Sequence, residues 1–377
     1  MSGRDGAVAA RDAVLGFGYR RLVKPLAFRL DAETVHDRVS SLGTALGRSG
    51  LTRGLTRAMF GYEHPALAVE VAGIRFRNPL GLSAGFDKEG RLLDILPSVG
   101  FGFVEIGSIT GSPSSGNPKP RLWRLPKSRA LVVNYGLNSS GSAVAAQCLR
   151  GKRFGVPVAI SIAKANHPDF DTIEAGIADY VLAARNMRGL GAVRVVNISC
   201  PNTTGGEPFL DASHLDNLLT ALDPLPADQP VFIKLPADAT NAELDGIIKI
   251  SVKHHVTGFI CTNLSNRRDA PGIVDTNVPQ QGGISGKVVE ARSNEVLAYV
   301  YRQTEGRMPL IGVGGVFTAD DAYRKIRLGA SLVSLITGMV YRGPSVLSEI
   351  KRGLVRLLQR DGFTSVGEAV GVDSRHS

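Results

Sequence analysis

Cysteine is scarce: the 377-residue chain has three, Cys148, Cys200 and Cys261, odd in number and far apart. This excludes a disulfide framework and a zinc site built on paired Cys-x-x-Cys ligands, and no metal site is expected. Long apolar runs are lacking too. The neutral stretch over 132–149 is interrupted by Asn, Ser, Gly and Gln, so no segment is expected to span a membrane. The N-terminus has no compact apolar segment followed by a small-residue cleavage site, which argues against a secretory signal and for a cytoplasmic protein. Aromatic residues make up only 6%, and no run of Lys and Arg is interleaved with them. The net charge of +10, from 44 basic and 34 acidic side chains, therefore does not indicate a nucleic-acid partner. What is present is ordinary for a folded domain: 43% hydrophobic and 21% charged residues, far from the signature of disorder.

Half of the positive excess lies in residues 1–62, where ten Arg and Lys face five Asp and Glu, leaving +5. Leu15, Tyr19, Leu22 and Leu26 fall at i, i+4, i+7 and i+11, and Val35, Val39, Leu42 and Leu46 repeat the pattern. Two short amphipathic helices are expected, the first ending in a bend or disorder at Pro25, the second capped by Asp31 with Glu33 in its first turn. Such basic helices either pack on a main domain or lie on an anionic membrane surface, and the two uses are compatible.

From about residue 70 the pattern changes to short β-branched runs separated by helical periodicity. GLSAG over 81–85, FVEIGSI over 103–109, VAISIA over 158–163 and VRVVNIS over 193–199 are the first four. VFIKL over 231–235, GFICTN over 258–263, LIGVGG over 310–315 and LVSLITG over 332–338 complete eight. Eight near-continuous apolar strands, each followed by a helix, give a parallel (β/α)8 TIM barrel, an α/β fold with a small N-terminal helical extension. Thr240-x-x-Glu243 and Thr318-x-x-Asp321 supply capping boxes after the fifth and seventh strands. A doubly wound sheet is disfavoured, because no Gly-x-Gly-x-x-Gly follows the first strand. The chain divides into a helical segment at 1–62, a barrel at 63–360 and a C-terminal tail at 361–377.

Active sites of such barrels lie at the C-terminal strand ends, with phosphate commonly held after strands seven and eight. Gly312 to Gly315 and Thr337-Gly338 occupy those places, and Gly282 to Gly286 adds a third glycine-rich segment, so a phosphate-bearing ligand is expected. Polar residues mark other strand ends: Asp87-Lys88, Asn197, Cys200, Lys234 and Thr262-Asn263. Lys234 has apolar neighbours on both faces of its strand, a placement that suits an anionic ligand or a reduced cofactor. Asn197, Asn202 and Asn263 offer paired donors and acceptors for a planar heterocycle. Cys200 is available as base or nucleophile, although a free Cys is more often a small buried hydrophobe.

These segments also resemble a known family. FRNPLGLSAGFDKEG over 76–90, VEIGSIT over 104–110, GNPKPRLWR over 116–124, NISCPNT over 197–203, GGISG over 282–286 and IGVGG over 311–315 are similar to the dihydroorotate dehydrogenases. LDAETVH over 30–36 is similar to the membrane-associated, quinone-using class 2 enzymes, and the likeness runs in order from about residue 19 to 355. It implies an FMN-dependent oxidoreductase acting on a CH–CH bond, oxidising dihydroorotate to orotate in pyrimidine biosynthesis. Electrons would pass to a quinone entering beneath the N-terminal helices, with the protein peripheral on the inner face of the cell membrane. FMN is implied against Ala84, Gly85, Ser108, Lys234, Thr262, Ser285, Gly286, Gly314, Gly315 and Thr337. Lys88, Asn197, Asn202 and Asn263 are implied as substrate ligands, Cys200 as base, and His36 and Arg121 as quinone-tunnel residues.

The sequence also departs from that pattern. Class 2 enzymes carry Ser where Cys200 stands, Cys being the residue of the soluble class 1 enzymes. An Asn ligand is replaced by Val133, an aromatic by Leu137 and a Thr by Leu264, while Ser161 and Ile336 stand where an Asn and a Tyr meet the flavin and tunnel. Each lost hydrogen-bond partner costs about 1–3 kcal/mol. An alternative function is therefore a divergent paralogue oxidising or reducing another small molecule in a specialised pathway, and a flavin-binding module without turnover is a third. If Cys200 is a base with little local help, its reaction should accelerate through pH 8 to 9.

Overall fold

The structure, a computed structural model, describes residues 3–203, 206–223 and 229–374. Four helices precede the barrel: α1 (Gly3–Gly18), α2 (Lys24–Arg29), α3 (Ala32–Gly47) and α4 (Gly50–Phe60). A single π-helical turn, Tyr19–Val23, joins α1 to α2, so the first expected helix runs on to Arg29 instead of ending at Pro25. Pro25 sits in the first turn of α2, where its missing N–H is least felt, and the π turn before it already interrupts the regular hydrogen-bond ladder. Asp31 caps α3 as expected, accepting the Thr34 N–H at 2.8 Å. α4 lies outside the two helices predicted, although Leu51, Leu55 and Met59 recur at i, i+4 and i+8; in the structure all three are exposed.

A short hairpin of β1 (Val69–Val71) and β2 (Ile74–Phe76) leads into the barrel strands β3 (Leu80–Leu82) and β4 (Phe103–Thr110). A side pair, β5 (Leu122–Leu125) and β6 (Ala130–Val133), precedes β7 (Val158–Ala163), β8 (Val193–Asn197), β9 (Val231–Leu235) and β10 (Gly258–Cys261). Then come β11 (Gly283–Gly286), β12 (Leu310–Val313) and β13 (Ala330–Leu335). The closed parallel barrel has the order β3-β4-β7-β8-β9-β10-β12-β13, eight strands as the sequence predicts. Glycine-rich β11 pairs antiparallel with β6, and β6 with β5, forming a separate three-stranded sheet that the strand pattern does not predict. It does not predict the hairpin either. With Phe76 and Phe103 in edge contact at 5.7 Å, it closes the N-terminal end of the barrel over an apolar cluster including Phe232 and Ile311.

Helices α5 (Leu96–Val99), α6 (Ser142–Leu149), α7 (Ile173–Asn186), α8 (Ala212–Leu222) and α9 (Asn241–Lys253) surround the first strands. α10 (Glu290–Gln303), α11 (Ala319–Arg327), α12 (Thr337–Arg342) and α13 (Val346–Arg360) complete the ring. Both expected capping boxes are present, Thr240 with Glu243 and Thr318 with Asp321. The N-terminal helices are bound to this ring through Asp12. Its fully buried carboxylate lies 2.8 Å from Arg11 and from Ser348 Oγ and 3.3 Å from Arg352, the last two on α13. Within the C-terminal tail, residues 361–374 pack back onto the barrel. The Val366 N–H donates to Ala66 O at 2.9 Å, the Gly371 N–H to Ile326 O at 3.0 Å, and Asp373 pairs with Arg327.

Candidate active site

A cavity of about 470 Å³ opens at the C-terminal ends of the barrel strands, and Tyr19, Val35, His36 and Val39 of the N-terminal helices share its lining. The volume suits a small-molecule or cofactor site. The parallel strands bring to it Ala84, Gly85 and Lys88 after β3, Ser108 of β4, and Asn197, Cys200 and Asn202 from the end of β8 onward. Lys234 of β9, Thr262, Asn263 and Leu264 after β10, and Gly314 and Gly315 after β12 complete the barrel's share, with Ile336 and Thr337 after β13. The side sheet adds Ser285, Gly286 and Val133, followed by Leu137.

Two expected residues are not in the lining. Ser161 is fully buried behind Ser108, with the two hydroxyls 2.8 Å apart. Arg121 is occupied elsewhere: its Nη2 and Nε lie 2.8 and 3.0 Å from Glu33 Oε1, and the guanidinium sits 5.0 Å over the Tyr135 ring. It thereby ties the side sheet to α3. His36 packs edge-on against Phe86 at 4.8 Å, and burial together with nearby Lys88 pushes its imidazole down to about 4, leaving it neutral at pH 7.

Around Cys200 the polar groups are tightly committed. Asn197 Nδ2 donates to Ser108 Oγ at 2.8 Å, Asn263 Nδ2 to Asn197 Oδ1 at 3.0 Å, and Asn202 Nδ2 to Val133 O at 2.8 Å. Asn202 Oδ1, Asn138 Oδ1 and Tyr135 Oη are buried with no hydrogen-bond partner among the described residues. Unpartnered buried polar atoms around a cavity signal a polar ligand. Cys200 borders the cavity, yet burial pushes its thiol up to about 11, with Lys234 and Lys164 opposing that rise only weakly. The expected acceleration through pH 8 to 9 therefore moves to higher pH.

Glu105 went unnoticed in the sequence, although it is the one acidic residue of the buried strand β4 and gives the same signal as Lys234. Its carboxylate accepts the Ala84 N–H at 3.0 Å and lies 3.3 Å from Lys234 Nζ, both side chains being nearly inaccessible. The pair crosses the barrel beneath the cavity, and Lys234 stands on the cavity side. Tyr135 and Asn138 were also missed, lying in a loop without periodicity.

The rim suits the phosphate of a phosphate-bearing cofactor. Gly286 has φ +109° and Gly314 φ +106°, and a Cβ on Gly286 would come within 2.5 Å of Arg129 O, so bare backbone is required there. Beside them the Ser285 and Thr337 hydroxyls lie 2.9 Å apart. Backbone amides and hydroxyls of this kind hold a phosphate, and Lys234 offers a cation to an electron-rich ring. Among the described residues no group of three or more His, Cys, Asp or Glu could hold a metal ion.

Comparison with known proteins shows the family. The sequence profile of the dihydroorotate dehydrogenase family matches residues 66–358. The chain is 42% identical over 359 residues to a dihydroorotate dehydrogenase (quinone) of Roseiflexus castenholzii, covering 94% of this chain and 96% of that protein. It is 39% identical over 357 residues to the enzyme of the same name from Mycobacterium sp. strain KMS, covering 94% and 98%. The crystal structure of DHODH from Eimeria tenella in complex with ferulenol superposes with a TM-score of 0.78 at 30% identity, covering 91% of this chain and 96% of that one.

Proposed function

The chain belongs to the dihydroorotate dehydrogenase family, and from that premise we propose that it oxidises dihydroorotate to orotate with FMN as cofactor and a quinone as electron acceptor. The observation that carries this reading is the convergence of Lys88, Asn197, Cys200, Asn202, Lys234 and Asn263 with the glycine rim on one cavity. FMN, when bound, supplies the two-electron acceptor. Lys88 holds the substrate carboxylate, Asn202 Oδ1 takes a ring N–H, and Asn197 and Asn263 keep the ring flat against the cofactor. Cys200 removes the proton from the carbon next to the one that gives up its electrons. Lys234 presents positive charge to the cofactor edge.

The quinone reaches the cavity between the Tyr19–Val23 turn and α3, past Tyr19, Val35 and Val39, with neutral His36 as its hydrogen-bonding group and Arg121 holding the wall. Among the described residues no helix is long and apolar enough to cross a membrane. The N-terminal helices instead expose Val14, Phe17, Leu22, Leu26, Leu42, Leu51 and Leu55 within a segment of charge +5. That composition suits docking onto an anionic bilayer surface, from which a quinone would enter. The test is direct: the purified protein should be yellow with one FMN per chain, dihydroorotate should bleach it anaerobically, and a short-chain quinone should restore the colour. A colourless protein that FMN cannot reconstitute would refute the reading.

A further inference from the structure

Lys325 has no part in the chemistry above, yet it is fully buried, on α11 directly behind the glycine rim. Among the described residues no carboxylate forms an ion pair with it. Its Nζ donates to Ser293 Oγ at 2.7 Å and to Asn294 Oδ1 at 2.8 Å, both at the start of α10. With that acceptor role filled, the Ser293 hydroxyl donates to Val313 O. The rim rests on this chain of groups: a Cβ on Gly312 would meet Lys325 Cδ at 3.1 Å, and one on Gly314 would meet Ser293 Oγ at 3.1 Å.

The consequence follows from peptide geometry. In a planar trans peptide the C=O and N–H point in opposite directions. Ser293 draws the Val313 carbonyl toward α10, away from the cavity that Val313 and Gly314 line, so the Gly314 N–H of the same peptide is turned to the cavity side. We propose that Lys325 is a positioning residue that, through Ser293, locks the Val313–Gly314 peptide with its N–H presented to the cofactor phosphate.

This rests on the FMN reading. Burial pulls the Lys325 ammonium down to about 7, and the charges facing it partly offset one another: Glu290 and Asp321 favour its charged form while Lys287 opposes it, and the nearby Cys261 thiol is kept neutral by its own burial. Lys287 is itself bound to both carboxylates, so of these two lysines Lys325 is the one bonded to neutral groups.

The test compares two flavins that differ only in the phosphate. Dissociation from purified holoprotein is followed by the gain in flavin fluorescence, with FMN as isolated and with riboflavin exchanged in its place. Lys325→Met and Ser293→Ala should each speed FMN release at least tenfold while leaving riboflavin release within twofold of the unmodified protein. Equal acceleration for both flavins would make the pair mere packing, and unchanged FMN release in a folded Ser293→Ala would show that the peptide needs no lock. Either result overturns the proposal while leaving the cofactor assignment standing. Failure of the unmodified protein to hold FMN would remove both.

Discussion

Lys88 Nζ lies 3.5 Å from the centre of the Tyr135 ring, so the lysine assigned to the substrate carboxylate rests on an aromatic face within the cavity. The ring steadies the ammonium by a cation–π contact and cannot hydrogen-bond it fully, leaving its donors for a ligand. Burial, with Arg121 adding to it, pulls Lys88 down to about 8. The charged form, needed for the carboxylate, is present below that pH and lost above it. The form of Cys200 needed as base is the thiolate, which grows tenfold per pH unit up to about 11. The two slopes cancel between these values. For unmodified enzyme kcat/KM should climb to about pH 8 and then level, whereas in Lys88→Met it should continue climbing while KM at pH 7 rises roughly 10- to 150-fold, the worth of a charged hydrogen bond of about 1.5–3 kcal/mol. A plateau that persists in Lys88→Met would assign it to another group.

Cys200→Ala should retain FMN, since the cofactor rim is built from other strand ends, but lose flavin reduction by dihydroorotate by roughly 10²- to 10⁴-fold, the usual range for a general base. Stopped-flow bleaching at 450 nm would read this directly. In the unmodified protein the same bleaching at saturating substrate should keep accelerating beyond pH 9, because burial holds the thiol protonated there. Cys200→Ser places the class 2 residue in this setting and should keep measurable turnover. Bleaching of Cys200→Ala at the unmodified rate would reduce Cys200 to packing.

The barrel was legible because parallel strands covered on both faces must be apolar almost throughout, and β4, β7, β8 and β9 are buried at every position. Against such runs single polar residues such as Lys234 stand out. The side sheet left no such mark. β5 and β11 are four residues each, and β11 reads Gly-Ile-Ser-Gly, a loop by composition, which becomes a strand only because β6 offers it an edge. Arg121 shows the other limit. Its position in the chain matched a tunnel residue, but whether a guanidinium faces a cavity or a carboxylate depends on where Glu33 of a distant helix comes to rest.

The exposed apolar residues of the N-terminal helices should govern membrane attachment without contributing to the fold. Val14 is 71% exposed, Phe17 61%, Leu22 67% and Leu26 63%, so replacing all four with Gln or Ser removes little buried area, while the Asp12 network keeps α1 seated. Flotation with vesicles containing anionic lipid should be strong for the unmodified chain, weaker in high salt, and largely lost in the fourfold variant at unchanged thermal stability. Salt acts because the Debye length is about 8 Å at physiological ionic strength and about 3 Å at 1 M. Undiminished flotation of the variant would place the membrane contact elsewhere or nowhere.

Val133 and Leu264 meet at a single glycine. Val133 is paired with Gly283 in the β6–β11 ladder, and a Cβ on Gly283 would lie 2.5 Å from Leu264 Cβ, so the two side chains flank one apolar wall of the cavity, with Leu137 also in its lining. The family pattern that the sequence resembles implies hydrogen-bonding Asn and Thr at those positions. Polar ring atoms of a substrate placed against this wall would lose water without gaining a partner, at about 1–3 kcal/mol each. Dihydroorotate turnover by the unmodified protein should accordingly be slow, and Val133→Asn with Leu264→Thr should raise kcat/KM for dihydroorotate at least tenfold at unchanged FMN content. Because both residues adjoin Gly283, their effects are expected to be coupled, and the double variant should be measured with each single one. Fast turnover in the unmodified protein, or a fall in kcat/KM in the double variant, would show that the apolar wall fits dihydroorotate as it stands.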